Sequence, residues 1–508
     1  MVCQRTDGVT TLVRKSLGLE SVPMRDHFRH ENAPDGEQHV IGEIVSGLDA
    51  RLGDAIEHAA TRHHVRRLTR LGWDRALRGD DDAWAKAPPP REGNTLQVHV
   101  DGTSALPAIA AAVRGARSYV HIAGWTVDPE FALERHPSAV TVRELLADAA
   151  NRVDVRVLVW AGAPVPIMQP SRAKARQLMD RLVRGTRING ALDSRNRPMH
   201  CHHEKLVIVD GTQAFVGGID LTDLAGDRYD GSPHSRSTTL GWHDAAAQLA
   251  GPAVADVCSH FAMRWKATTG ESLPAAASPP AVGGSRVQVI RTVPDHTYKA
   301  LPRGDFSILE AYMGALRRAR RLIYLENQFL WSSEVVAVLR EKLQQPPTDE
   351  FRLCVVLPRH PNNGNDDTRG QLGMLQAADH HHRLLVGTVG PVHRQHPPVY
   401  VHAKVAIVDD AWLTVGSANL NEHSLFNDTE VNLVTDDAPL ARGVREQLWS
   451  EHLNQDCRGV DPLEVIETAW RKAVTARPPY ENPLRPLPSV SRRSARLLGP
   501  LKGLLVDG

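Results

Sequence analysis

The chain has 508 residues, 42% of them hydrophobic and 23% charged, and its 60 basic and 59 acidic side chains leave a net charge of +1. That composition builds an ordinary globular protein with a large core, long enough for two to four domains or for two fused repeats with extensions. The even charge balance argues against a protein made chiefly to hold nucleic acid, and no run approaches 18 uninterrupted apolar residues, so no transmembrane helix is expected.

Residues 1–90 carry helical signals, as in EIVSGLDARLGDAIEHAATRHHVRRLTRL, and close on the breaker APPPREGN, which marks an N-terminal helical extension. Its first 20 residues lack the apolar core of a signal peptide. From TLQVHVD (95–101) the pattern alternates strand and helix: SALPAIAAAVRGA reads as helix, SYVHIAGWTV as strand, VTVRELLADAANR as helix, DVRVLVWAG as strand and SRAKARQLMDRLV as helix. The stretch LPAAASPPAVGGS (273–285) reads as a linker. The alternation then restarts with SRVQVIRTV, SILEAYMGALRRARR, LIYLENQFL, SSEVVAVLREKLQQ and FRLCVVLP. An internal repeat follows: a first unit over 91–272 and a second over 286–460, each an α/β sandwich, with a Pro/Arg-rich tail over 461–508. The tail ends in SRRSARLLGPLKGLLVDG; its arginines and leucines suit an anionic membrane surface, but its Gly and Pro oppose a helix, so disorder is expected.

The repeat is sharpest in two segments. HHEKLVIVDGTQAFVGGIDL (202–221) aligns without a gap on VHAKVAIVDDAWLTVGSANL (401–420). A constant shift of 199 carries His203 to His402, Lys205 to Lys404, Asp210 to Asp409, Gly217 to Gly416 and Asp220 to Asn419. Only ten of the 60 basic residues are lysine, and two of the ten fall on one position of this alignment. On a strand, positions i and i+2 share a face, so His203 projects with Lys205 and His402 with Lys404. Lysine is a compact charge suited to a phosphate oxygen, and histidine serves as nucleophile or as proton donor. Two such pairs meeting about a pseudo-two-fold axis supply a nucleophile, a general acid and two cations, the inventory for displacement at a phosphodiester without a metal. Paired histidines of opposite duty also imply a bell-shaped pH profile. Asp210 and Asp409 end their strands and read as turn or structural residues even though they belong to the motif.

The duplicated HxKxxxxD, followed by GG or GS, resembles the phospholipase D superfamily. GGIDL with DRYD (227–230), WHDAAAQLAGPAVADVCSHFAMRW (242–265), YLENQFL (324–330) and GSANLNEHSLFNDTEVNL (416–433) resemble its larger, lipid-acting branch, and the likeness covers roughly 95–460. It implies two α/β sandwich repeats packed as a pseudo-dimer with the active site at their interface, and a double displacement through a phosphohistidine. By this resemblance His203 is favoured as nucleophile and His402 as acid/base, the near-symmetry leaving the reverse assignment open. Lys205, Lys404 and Asn419 would hold the non-bridging oxygens. Asp220 is ranked below Asn419, since an acid there is no simple anion-binding amide. A carboxylate downstream of each motif is implied to fix the ring of its own histidine: Glu430, 28 residues after His402, and Asp230, 27 after His203. The motif assignment also brings Asp210, Asp409 and Ser417 into the candidate set, and Asn327 and Gln328 either line the cleft or satisfy backbone groups at a strand end.

The remaining signals are weaker. The five scattered cysteines, Cys3, Cys201, Cys258, Cys354 and Cys457, argue against a disulfide framework and for a reducing compartment. Neighbours in the cluster His200-Cys201-His202-His203 point to opposite faces of a strand, so no metal is expected there. Asp379 to His382 reads as a solvated helix end, the polar stretch 358–375 as a surface or gating loop, and Trp125 as a packing residue. The expectation is a cytoplasmic monomer with two internal repeats, peripheral to the membrane, acting on phospholipid, and needing neither cofactor nor nucleic acid. Two alternatives use the same site: a cardiolipin-synthase-like phosphatidyltransferase, for which a membrane-spanning start is lacking, and a nuclease.

Overall fold

The computed structural model describes residues 58–79, 83–134, 136, 138–164, 169–197, 199–222, 241–361, 365–390, 399–476 and 482–487. A helix over 58–71 precedes the first repeat. That repeat runs β1 (Arg91–Val100), helix Gly102–Arg114, β2 (Tyr119–Gly124), helix Val142–Ala150, β3 (Asp154–Trp160), helix Arg172–Val183, β4 (Asn189–Asp193), β5 (Leu206–Val209), β6 (Gln213–Gly217), β7 (Gly241–His243), β8 (Ala245–Ala250) and helix Val254–Thr269. The second runs β9 (Ser285–Val293), β10 (Asp305–Phe306), helix Ser307–Arg318, β11 (Leu322–Asn327), helix Ser333–Gln344, β12 (Arg352–Val356), helix Asn365–Ala378, β13 (Leu384–Val389), β14 (Val399–Val401), β15 (Lys404–Val408), β16 (Trp412–Gly416), β17 (Glu430–Thr435) and helix Ala438–Leu453. The sequence marks the helix starts: Thr141 and Glu144 close a capping box, and the side chains of Ser171 and Asp437 cap theirs.

With β18 at Leu484–Pro486, the strands hydrogen-bond in the order β18-β13-β12-β11-β15-β16-β17-β9-β1-β8-β6-β5-β2-β3-β4. Outward from the β1·β9 joint, the order β1-β8-β6-β5-β2-β3-β4 mirrors β9-β17-β16-β15-β11-β12-β13, which is the duplication seen in three dimensions. In each repeat the parallel strands are those separated by helices, and the motif strand forms an antiparallel hairpin, as connection length requires. Each repeat has an outer core under its own helices, one built on Leu106, Ile109, Val120 and Leu145, the other on Leu309, Leu316, Ile323 and Leu339. A third core, containing Ile208, Val216, Phe261, Val405, Leu433 and Trp449, runs through both repeats and joins their inner faces. β18 (Leu484–Pro486), in the stretch expected as a tail, pairs with β13.

The hairpins place the motif aspartates away from the cleft. Asp210 and Gly211 have φ of 54° and 65°, and Asp409 and Asp410 have 53° and 52°. These residues are therefore left-handed, and each turn closes with the N–H of Thr212 or Ala411 on the carbonyl of Val209 or Val408, at 3.1 and 3.0 Å. Asp210 accepts the backbone N–H groups of Arg117, Ser118 and Tyr119 at 3.0, 2.7 and 3.0 Å. Asp409 accepts those of Arg320, Arg321 and Leu322 at 2.8, 2.7 and 2.8 Å. Each carboxylate thus ties a hairpin to the start of the adjacent parallel strand, about 15 Å along the strand from its lysine. Asp210 and Asp409 are corrected from the catalytic set to fold residues on this geometry.

Candidate active site

β5 and β15 each begin at the inter-repeat cleft, so the residues just ahead of them face the opposite repeat. His203 and His402 are 4% exposed, and their ring centroids lie 6.5 Å apart. The acids that hold them cross over. His203 Nδ1 lies 3.0 Å from Glu430 Oε1, and His402 Nδ1 lies 2.6 Å from Asp244 Oδ2. Each ring is therefore oriented by a carboxyl of the other repeat, which fixes Nδ1 and turns Nε2 toward the cleft. Glu430 was expected on His402 and sits on His203. Asp230 lies outside the described residues, and the carboxyl on His402 is Asp244, which the sequence reading passed over.

The missing signal was present in WHD. Val401 pairs with His243 as His202 bridges to Thr429, and the backbone N–H groups of His402 and His203 reach the carbonyls of His243 and Thr429 at 2.8 and 2.9 Å. Asp244 and Glu430 are thus equivalent residues, each following a cross-repeat pair, Asp244 just ahead of β8 and Glu430 at the start of β17. The spacing hid it, because Asp244 comes 41 residues after its motif histidine and Glu430 only 28.

The two sides of the cleft are not identical. Lys205 Nζ lies 3.1 Å from Asp220 Oδ2 and donates to the His203 carbonyl at 2.6 Å. Lys404 donates to Gln328 Oε1 at 3.2 Å and to the His402 carbonyl, and Asn419 Nδ2 donates to the same Gln328 oxygen at 3.3 Å. The Asn419 Oδ1 is buried without a hydrogen-bond partner. Asn327 sits beside the site and serves backbone: its Oδ1 accepts from the N–H groups of Phe329 and Leu420, both at 3.1 Å. Ser417 Oγ donates to Glu430 Oε2, and Ser424 Oγ reaches Glu430 Oε1 at 2.6 Å. Ser417 also accepts the Val431 N–H on its hydroxyl at 3.1 Å, and its carbonyl lies 3.2 Å from His203 Nδ1, so it helps to hold both the acid and the ring. Trp242 packs on His402 with ring centroids 4.1 Å apart and forms one wall.

Behind Asp244 lies a buried charged layer. His243 Nδ1 lies 2.7 Å from Asp101 Oδ1 and its Nε2 lies 2.9 Å from Glu326 Oε1. His452 Nε2 lies 3.0 Å from the same Glu326 oxygen, and Tyr324 donates to Oε2 at 3.0 Å. Against the pull of burial, Asp101 and Glu326 push the His243 imidazole up to about 10, so it is a cation in the core. Below His203, burial opposes ionisation of Glu204, yet Arg264 and His260 bring it down to about 2. These layers compensate the charges that the cleft buries.

The cleft groups themselves are shifted the other way. Burial, followed by the charges of Lys404 and Lys205, holds His402 well below the ordinary histidine range. Burial raises Asp244 to about 6 against the opposing lysines, and raises Glu430 to about 8 against Lys205 and the two serines. At neutral pH Glu430 accordingly keeps its proton, while Asp244 is largely ionised beside a neutral His402 imidazole. A ring N–H on Nδ1, toward the acid, leaves the Nε2 lone pair facing the cleft, as a nucleophile requires. An anion placed between Lys205 and Lys404 would offset the two charges that depress His402 and favour its second proton, as a general acid requires.

Of the other expectations, Trp125 stacks on Trp160 with ring centroids 6.2 Å apart, and the stretch 358–375 runs into the helix Asn365–Ala378 instead of remaining a loop. Asp379 receives the N–H groups of Arg383 and Leu384 at 2.8 and 2.9 Å as a helix-end turn.

Comparison with known proteins gives two family-model matches, one described as Phospholipase D over residues 112–241 and one as Cardiolipin synthase, PLD-like domain, over residues 315–451. Among curated proteins, phospholipase D alpha 4 of Arabidopsis thaliana is 25% identical over 476 residues, covering 67% of this chain and 62% of that protein. Phospholipase D2 of Bos taurus is 24% identical over 558 residues, covering 81% of this chain and 59% of that protein. The chain thus spans about three-fifths of the length of these relatives. Among solved structures, the phosphatidylserine synthase of Haemophilus influenzae matches with a TM-score of 0.49 at 13% identity, over 71% of this chain and 87% of that one.

Proposed function

This chain belongs to the phospholipase D superfamily, and from that premise we propose that it is a phosphodiesterase acting on phospholipids, releasing or exchanging the head group through a phosphohistidine. The observation that carries the reading is the facing pair of imidazoles, one from each repeat, with each Nδ1 held by a carboxyl from the other. A gap of 6.5 Å between ring centroids accommodates one phosphoryl group in line between two nitrogens. His203 Nε2 attacks phosphorus, and the P–O bond to the head group breaks. His402 gives its proton to the departing alkoxide and then, as a neutral base, takes one from water or an alcohol. That nucleophile attacks the phosphohistidine, and the N–P bond breaks to return His203. Lys205, Lys404 and Asn419 hold the non-bridging oxygens, Gln328 positions both Lys404 and Asn419, and Asp220 holds Lys205 in place.

His203 takes the nucleophile's role by the family resemblance, and Glu430, itself held by two serine hydroxyls, orients its Nδ1. Among the described residues no helix is long and apolar enough to cross a membrane. The proposed enzyme is a cytoplasmic monomer that works at the membrane surface from its water-exposed side. Head-group exchange is the second reading, favoured by the cardiolipin-synthase description matched over the second repeat.

The test is phosphatidic acid release from phosphatidylcholine and phosphatidylglycerol vesicles, with and without a primary alcohol, beside single-stranded DNA as a control substrate. Both lipids are expected to be cleaved, with phosphatidyl-alcohol formed when alcohol is present. His203→Ala and His402→Ala should each lower the rate roughly 10⁴-fold or more, since members of such a constellation act as a unit. DNA cleavage without lipid turnover would replace this reading with a nuclease.

A further inference from the structure

We propose that His200, His423 and Asp428 form a binding site for one divalent transition-metal ion of the zinc class, which clamps the two repeats together beside the active cleft. His200 comes from the first repeat, His423 and Asp428 from the second. His200 Nδ1 lies 3.0 Å from His423 Nδ1 and 3.4 Å from Asp428 Oδ1. Ligand atoms of all three lie within 4.8 Å of one another. Tetrahedral zinc at about 2.0–2.1 Å from imidazole nitrogen and carboxylate oxygen sets neighbouring donors roughly 3.3 Å apart. The two measured edges bracket that value. Two imidazoles and a carboxylate are the donor set of an ion of this class, whereas calcium and magnesium take all-oxygen shells.

Two independent features point to a ligand. Asp428 is 1% exposed; its Oδ1 accepts the Cys201 N–H at 2.8 Å, but its Oδ2 is buried without a partner. An unpaired carboxylate oxygen in a core is costly and calls for a cation. The second feature is the broken symmetry. On one side of the cleft the repeats are stitched by a parallel strand pair, with Val399, Tyr400 and Val401 against Gly241, Trp242 and His243. The equivalent residues on the other side are His200, Cys201 and His202 against Asn427, Asp428 and Thr429, and only the His202–Thr429 bridge forms. The cluster occupies the place where the second strand pair is missing. There the direct imidazole contact gives way: the ring that donates through Nδ1 shifts to its Nε2–H tautomer, and both Nδ1 lone pairs turn to the ion. His200, with 14% of its side chain exposed, provides the entry, and solvent completes the fourth position.

The chain, stripped with a chelator, is titrated with zinc against a chromophoric competitor, and cobalt absorbance serves as a second probe. One equivalent is expected, with a rise in Tm on loading. His200→Gln, which alters the most exposed ligand, and Asp428→Asn should each weaken affinity about 100-fold and abolish the Tm rise. His381→Gln, in the exposed histidine run, should change neither. The absence of one-equivalent binding, or an affinity that His200→Gln leaves intact, overturns the proposal. Circular dichroism confirms that each variant is folded.

Discussion

Glu430 and Asp244 are carboxyls whose ionisation the fold resists: burial raises one to about 8 and the other to about 6. Their ordinary range lies near 4. Between that range and the raised value, the native chain keeps a proton that the unfolded chain has lost. The contribution of each acid to stability therefore falls as pH rises, through about 4 to 6 for Asp244 and about 4 to 8 for Glu430. Replacing either by its amide removes a penalty that is complete only above those values. Asp244→Asn is expected to lower kcat roughly 10³- to 10⁴-fold by breaking the hold on His402 Nδ1, and to raise Tm relative to the parent by more at pH 8.5 than at pH 5. Glu430→Gln should show the same pair of effects, with its stability gain still growing between pH 6 and 8. Parallel melting and turnover measurements across that range check both. A gain in Tm that shrinks with rising pH would show that the carboxyls are stabilised, not strained, by burial.

At the scale of elements, the hairpins show what GG and GS do. Gly218 and Ser417 are equivalent positions. A methyl group on Gly218 would overlap the Asp244 carboxylate, whereas Ser417 Oγ donates to Glu430. The shorter acid lies against bare backbone and the longer one reaches a hydroxyl. Gly218→Ala is accordingly expected to displace Asp244 and lower kcat about 100-fold with little change in KM, because a displacement near 1 Å in a positioning group is enough. Gly443→Ala is the control, since a methyl there meets nothing within 4 Å. The HxK pairs and the strand-helix alternation were readable because they repeat without a gap and are local. The functional acid after the first motif was not, because 13 further residues separate Asp244 from His203 compared with Glu430 from His402. The position of Asp210 was also legible, although its motif invites a catalytic role: an aspartate closing a buried strand before glycine is a turn residue.

On the scale of the whole molecule, no local signal indicates which acid serves which histidine. That pairing is set by the packing of one repeat on the other, through the β1·β9 joint and the shared inner core. Neither repeat alone contains an oriented motif histidine. Two chains covering 1–277 and 278–508, divided within the exposed stretch that joins the repeats, are expected to show no turnover separately and to regain it when co-expressed. Activity in either fragment by itself would contradict the crossed arrangement. The crossing also bears on descent. A single-copy ancestor with this geometry could have worked only as two identical polypeptides, each lending its acid to the other. Joining two such copies in one chain would free them to diverge, as Asp220 and Asn419 differ, while leaving each motif histidine dependent on an acid carried by the opposite copy.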